Sequence, residues 1–300
     1  MREEGVARTG VRVDGRIIRT AQRARRSAAG YDLTRLFVGS EGTLGVITEV
    51  TLRLHGQPEA ISAAVCHFPT IDDAVRSVIL TIQSGVPIAR IELLDELTMA
   101  AVNAYSGLDY KTAPTLFYEF HGSPAGVDEQ VETVRAIATE FGGGKFAWAT
   151  KTEERNKLWQ ARHDAFFATL ALEPGKQGYA TDVCVPISRL AECISETRAD
   201  LSASTITAPL VGHVGDGNFH LIYLIDPDKP EELAEAKRLN ERMVLRALAM
   251  DGTCTGEHGI GYGKIDFLVA ELGEAVSVMR MIKRALDPKN IMNPGKIVRM

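Results

Sequence analysis

The 300-residue sequence holds only four cysteines. Cys66, Cys184, Cys193 and Cys254 lie far apart and lack the short CxxC spacing that zinc or a redox dithiol needs, so reduced, partly buried thiols are expected. No stretch of about 18 apolar residues occurs, which argues against a membrane-spanning helix. The amino terminus carries Glu3 and Glu4 where a secretory leader would place an apolar run. A surplus of positive charge is also missing: the formal net charge is −5. With no RNP, zinc-finger or basic-zipper pattern, nucleic acid is not an expected partner. There is no GxGxxG fingerprint opening a helix, no serine-rich linker and no fixed-period repeat. The composition that remains, 45% apolar and 24% charged, is that of an ordinary globular protein. The basic run Arg16 to Arg26 bears a superficial likeness to a transit peptide, yet it reads as strand and loop. A soluble, cytoplasmic protein is expected, peripheral to a membrane at most.

Val11 to Thr20 reads as two short strands turned at Asp14-Gly15, and Val46 to Leu54 alternates as a half-buried strand. This first block reads as all-β and glycine-rich. From Ile61 onward strands alternate with amphipathic helices: Ala64 to Phe68, Ile71 to Ser84, Ile88 to Leu94, Glu96 to Tyr105. The order then repeats with Thr115 to Phe120, Val127 to Phe141, Lys145 to Ala149, and a long helix from Glu153 to Leu172 that stops at Pro174-Gly175. The pairing of the two units predicts an α+β layer arrangement with helices on one face of a sheet. A strand at Tyr179 to Val185, a helix from Ser188 to Ser202, a hairpin from Ile206 to Leu224 and a helix from Pro230 to Met250 follow. The last helix, near Glu274 to Ala285, presents Val278, Met281, Ile282 and Ala285 as its apolar set and ends at Asp287-Pro288. A domain boundary is expected near Gly56-Gln57-Pro58.

The segment Gly212-His213-Val214-Gly215-Asp216-Gly217-Asn218-Phe219-His220 carries the strongest chemical signal. Two histidines flank a turn of residues that tolerate positive φ. If the six residues between them form the loop and its first pairs, His213 and His220 face each other, with Cβ atoms about 4.5 to 5.5 Å apart. That spacing suits two imidazoles on one metal. Thr255-Gly256-Glu257-His258-Gly259 offers a carboxylate and an imidazole between glycines. A His2Glu set leaves coordination positions open, as catalytic sites require, and is compatible with Zn, Mn or Fe. A second segment, Gly39-Ser40-Glu41-Gly42-Thr43-Leu44-Gly45-Val46-Ile47-Thr48, has glycines that would let the main chain lie against a planar or phosphorylated cofactor.

The run from Asp32 to Leu54, the two histidine-bearing segments and the closing Asp287-Pro288-Lys289-Asn290-Ile291-Met292-Asn293-Pro294-Gly295-Lys296 resemble, in order and spacing, the FAD-linked oxidase family. That family includes cytochrome D-lactate dehydrogenases, glycolate oxidase FAD subunits and D-2-hydroxyglutarate dehydrogenases. The resemblance implies the end of an FAD-binding domain (1–56), an antiparallel-sheet substrate domain covered by helices (57–268) and a terminal segment returning to the flavin (269–300). It implies cofactor contacts from Glu41, Gly42, Thr43, Leu44, Gly45, Val46, Ile47 and Asn293. It also implies metal ligation by His213, His220 and Glu257, His258 as catalytic base, and Arg162 as the clamp on the substrate carboxylate.

By this resemblance the activity is FAD-dependent dehydrogenation of a D-2-hydroxy acid to the 2-oxo acid, metal-assisted, with hydride passing to the flavin. Electrons would leave to a cytochrome, a quinone or an electron-transferring flavoprotein. Ala180 and Ile222 stand where the resemblance places a lysine and an asparagine in the hydroxyglutarate enzymes, which points to a small monocarboxylate, D-lactate or glycolate. The family's flavin pyrophosphate-binding region is not seen before Met1, so the chain as given is expected to purify colourless and silent. Two other readings stand beside this one: a metal- and substrate-binding fragment unable to hold FAD, and D-2-hydroxyglutarate dehydrogenase activity. The non-redox ether-lipid branch of the fold is disfavoured, because the segment after Gly212 lacks further clustered histidines.

Overall fold

A computed structural model describes residues 4–24 and 26–300; Glu3 of the leader argument and Arg25 of the basic run lie outside the described residues. The chain forms two compact units, one of residues 1–56 and 257–300 and the other of residues 57–256.

In the smaller unit, strand β1 (Gly5–Val11) turns through Gly15, at φ 79°, into β2 (Ile17–Arg19), and β3 (Val46–Leu52) pairs with the other side of β1. The block is not all-β. Helix α1 (Leu33–Phe37) interrupts it, started by Asp32, whose carboxylate accepts the Arg35 amide at 3.0 Å. One turn is too short to show a 3.6-residue period. Nor is β3 half-buried: Val46, Val50 and Leu52 are 53%, 49% and 51% exposed.

The larger unit follows the expected alternation closely. Strand β4 (Ala60–His67) leads to α2 (Ile71–Gln83), β5 (Arg90–Leu94) to α3 (Glu96–Ser106), β6 (Thr115–Gly122) to α4 (Pro124–Glu140), and β7 (Ala147–Ala149) to α5 (Thr152–Leu170). Local chemistry sets the starts. Thr70, Asp95 and Ser123 each accept the amide three residues on, and Pro124 occupies the first turn of α4, where its missing N–H costs nothing. Gly107 ends α3 in the left-handed region at φ 62°.

The strand predicted from Tyr179 to Val185 is broken into β8 (Gln177–Ala180) and β9 (Val183–Cys184), for a reason that lies in the candidate site. Helix α6 (Leu190–Ser202), strands β10 (Leu210–His213) and β11 (Asn218–Ile225), and α7 (Pro230–Ala249) complete the unit. The antiparallel sheet runs β7-β4-β6-β5-β10-β11-β8, with β9 also on β11.

Helices cover both faces of this sheet rather than one. Alternate residues of β6 show it: Phe117 meets Trp159 of α5 with ring centroids 6.3 Å apart, while neighbouring Tyr118 hydrogen-bonds Ser77 of α2. The core against α3 and α5 gathers Ala63, Val65, Leu94, Met99, Phe117 and Val211. On the other face burial pushes the Cys66 thiol up to about 11, as it does Cys193 on α6. All four cysteines are free thiols.

Back in the smaller unit, α8 (Ile265–Leu272) was missed because IDFLVAEL is apolar nearly all round and shows no stripe. Helix α9 (Ala275–Leu286) lies where expected, but its apolar set is not its buried face. Val276 and Lys283, two turns apart, are buried, whereas Val278 and Met281 are exposed. A lysine takes an interior position because Asp287 lies one turn further on.

Candidate active site

The site face of the larger unit is the one covered by α5. Antiparallel pairing of β5 with β10 sets Leu94 opposite Val211 and Leu93 opposite Gly212, which brings Glu92 to the position of His213. His213 Nδ1 lies 2.8 Å from Glu92 Oε1, and Arg162 of α5 donates from Nε to Glu92 Oε2 at 3.1 Å. Next along the same face, Arg90 stacks over Trp159 with its guanidinium carbon 4.6 Å from the ring centre.

His213 and His220 are not directly opposed. The register sets His213 against Asn218 and Val211 against His220. The reason is a tighter turn: Val214–Asp216 winds into one 3-10 turn and Gly217 closes it at φ 80°, so four residues connect the strands. A side chain at Gly217 would meet the Val185 carbonyl, where a Cβ would come within 2.1 Å. The two histidines are therefore diagonal neighbours on one face, and their rings meet edge to face with centroids 5.7 Å apart.

Both rings are oriented through Nδ1. His220 Nδ1 lies 2.9 Å from the Thr181 carbonyl, which can only accept, so the proton sits on Nδ1 and the lone pair on Nε2. An ionised Glu92 fixes the same tautomer in His213. Two imidazoles held by acceptors behind Nδ1 fit a metal site, in which such outer contacts orient the ligands.

Asp182, fully buried, explains the break between β8 and β9. Its carboxylate accepts from Asn218 Nδ2 at 2.8 Å and from the Thr255 hydroxyl at 2.6 Å, so this residue serves side chains instead of continuing the strand. Gly256 packs so close to this pair that a Cβ there would lie 2.2 Å from Asn218 Nδ2. Glu257 and His258 follow Gly256 directly in the chain, and their own side chains lie 3.7 Å apart. Ala180 and Ile222 are a registered cross-strand pair, Ile222 sharing the face of His220 two residues away. Sequence reasoning did not single out Glu92 or Asp182. The available signal was an acid beside apolar residues, Glu92 between Ile91 and Leu93 and Asp182 before Val183.

In the smaller unit the glycine-rich segment is largely occupied by the chain itself. Glu41, at φ 49°, accepts the Ile260 amide at 2.7 Å and the Gly261 amide at 2.9 Å through its carboxylate. Asn293 Nδ2 donates to the Glu41 carbonyl at 2.6 Å, against Gly42. Thr43 and Leu44 are buried, and a Cβ on Gly45 would lie 2.9 Å from the Val11 carbonyl. Val46 and Ile47 are the apolar side chains of this segment that stand exposed, giving an apolar surface. Lys283 donates to the carbonyls of Thr43 and Met292 at 2.9 and 2.7 Å and pairs with Asp287, which also accepts the amides of Ile291 and Met292.

Residues 57–297 match the family described as FAD linked oxidases, C-terminal domain. The chain is 53% identical over 304 residues to a probable mitochondrial D-lactate dehydrogenase of Danio rerio, covering 100% of this chain and 61% of that protein. It is 49% identical over 299 residues to the mitochondrial D-lactate dehydrogenase [cytochrome] of Arabidopsis thaliana, covering 99% of this chain and 53% of that protein. The chain thus spans little more than half the length of these relatives. In fold it resembles 4-ethylphenol oxidase from Gulosibacter chungangensis, with a TM-score of 0.75 at 17% identity over 98% of this chain and 66% of that one.

These relatives overturn the expectation of a cytoplasmic protein, since both are named mitochondrial. An organelle address is carried by a transit segment, so the composition of a folded domain holds no record of it. No described helix is long and apolar enough to cross a membrane.

Proposed function

We propose, for a chain that belongs to the FAD-linked oxidases through their C-terminal domain, that it serves the oxidation of a small D-2-hydroxy acid, D-lactate or glycolate, to the 2-oxo acid. The observation that carries this reading is the pair His213 and His220, diagonal across one hairpin and each held through Nδ1. Glu257, next in the chain after the tightly packed Gly256, is the proposed third ligand. The donor set of two imidazoles and a carboxylate fits Zn, Mn or Fe.

When bound, the metal would supply Lewis acidity and FAD would accept the two electrons. The chain's own residues hold the substrate and move its proton. Arg162 binds the substrate carboxylate, fixing the orientation of the reacting carbon. His258 takes the hydroxyl proton on its imidazole. Val46 and Ile47 offer the apolar surface for the flavin ring, while Glu41, Gly42, Thr43, Leu44, Gly45 and Asn293 shape the segment that presents it. A cytochrome is the favoured electron acceptor, by likeness to the Arabidopsis thaliana protein.

The Ala180–Ile222 pair offers no donor to a second carboxylate. An unpaired charge there would cost several kcal/mol, enough to separate substrates by orders of magnitude. In the flavin-loaded protein, kcat/KM for D-lactate or glycolate is expected to exceed that for D-2-hydroxyglutarate; the reverse order rejects the substrate assignment. His213→Ala and His220→Ala are each expected to abolish stoichiometric metal. Undiminished metal in either variant removes the centre from the reading.

A further inference from the structure

Glu92 is given no part in the roles proposed above, yet it is buried and held by two of the residues named in them. It stands inside the apolar strand β5, 4% exposed, between Ile91 and Leu93, which are themselves buried. A carboxylate is held in such a place only when its charge is met by partners. Two partners reach it, one from α5, 70 residues away in sequence, and one from β10, 121 residues away.

We propose that Glu92 is a positioning residue that sets the proposed metal ligand His213 and the proposed carboxylate clamp Arg162 from one buried charge. The inference rests on the metal and substrate reading given above. The two oxygens divide the work, Oε1 facing His213 Nδ1 while Oε2 receives Arg162 Nε. Holding the proton on Nδ1 directs the lone pair of His213 through Nε2 and raises its basicity toward a cation. Arg162 meets Glu92 through Nε rather than through the fork of its terminal nitrogens, which leaves that fork for a ligand carboxylate. One carboxylate thereby fixes the ring that grips the cation and the guanidinium that grips the anion.

The substitution Glu92→Gln separates charge from shape here. An amide has a single acceptor oxygen, so the variant side chain must turn an N–H toward one partner: Arg162 can only donate, and a His213 turned to accept at Nδ1 would carry its proton on Nε2 and lose the lone pair aimed at the cation. Strand β5 pairs on both sides, with β6 and β10, and the substitution removes none of those backbone bonds.

The experiment measures Zn2+ affinity in the full chain by competition with a chromophoric chelator. Glu92→Gln is expected to weaken Zn2+ binding by about 10- to 100-fold. Glu92→Asp, which keeps the charge, should recover at least half of that loss on a logarithmic scale. Arg162→Met, which leaves the carboxylate to His213 alone, should stay within about threefold of the parent. Zn2+ affinity of Glu92→Gln within twofold of the parent overturns the proposal, as does an equal loss in Glu92→Asp and Glu92→Gln. A loss in Arg162→Met as large as in Glu92→Gln also overturns it, because general repacking would then account for both. Should Glu92→Gln fail to fold, Glu92→Asp against Arg162→Met decides: a weaker Zn2+ affinity in the first alone supports the proposal, and equal affinities overturn it. His213→Ala in the same titration isolates the underlying reading: if that variant binds Zn2+ normally, the metal assignment itself fails, whatever Glu92 does.

Discussion

Glu92, among apolar residues in the larger unit, and Glu41, among glycines in the smaller one, are acids used in opposite ways. Glu92 is met by side chains, a histidine and an arginine, that can themselves bind ligands. Glu41 is met by backbone amides of Ile260 and Gly261, which can only build structure. Asp287 belongs with Glu41, since it gathers two amides and the ammonium of Lys283. The partners of an acid, more than its burial, separate a group that positions chemistry from one that ties the chain together.

That distinction can be broken most forcefully at Lys283. Replacing it by Met strands the Asp287 carboxylate in the interior, and removing one partner of a buried pair typically costs about 3–5 kcal/mol. A large fall in melting temperature with unchanged Zn2+ affinity is the expected result; a loss of Zn2+ binding at constant stability would erase the contrast. Burial works to raise the Asp287 pKa, but the bonds from Lys283 and the amides of Met292 and Ile291 outweigh it and hold it low. Its folded pKa is depressed, so this pair contributes stability above the ordinary carboxylate range and loses it as pH falls.

Asp95 sharpens the contrast from the other side. It caps α3, and burial raises its pKa from 3.8 to about 6 despite bonds from Thr98 and Leu210. Here the folded pKa lies above the unfolded one. As pH rises from about 4 to about 6 the unfolded chain ionises first, so this residue's contribution falls by roughly 2–3 kcal/mol across that window and is level above it. In Asp95→Asn the difference from the parent in unfolding free energy should change over that interval, measured by denaturant titration at several pH values. A constant difference would mean the carboxyl is ionised throughout.

The smallest effect is expected at Glu41. Glu41→Ala leaves two amides without their acceptor, a cost of about 1–3 kcal/mol. Chemical denaturation should show that loss. Zn2+ affinity should not move; if it does, Glu41 shares the role assigned to Glu92.

The sequence made the larger unit's order legible because α2, α3 and α4 carry side-chain caps and its strands are bounded by turns. The start of α3 after Asp95 is kept, whereas α4 begins at Pro124 after Ser123, ahead of the expected Val127. Legibility failed where a long-range contact decided the outcome. The interior place of Lys283 depends on its partner four residues on and on Thr43, 240 residues away. The hairpin showed its histidines but not their register, because one left-handed glycine settled whether four or six residues turn the chain. Glu92 is meaningful only beside His213 and Arg162, and no local pattern announces that neighbourhood.

The sheet's wiring has a consequence for how the chain is made. Strand β5 finds its partner β10 only when Val211 has emerged to meet Leu94. At roughly 5–20 residues per second, a ribosome needs on the order of ten seconds to deliver that partner. Throughout that interval one side of β5 is an open edge, the kind of surface that recruits stray strands from other nascent chains. A carboxylate in the middle of Ile-Glu-Leu-Leu is a deterrent to such pairing. The charge that later sits between histidine and arginine would first act as a guard on an unfinished sheet, so its loss would be felt during synthesis as aggregation before it was felt in the finished protein.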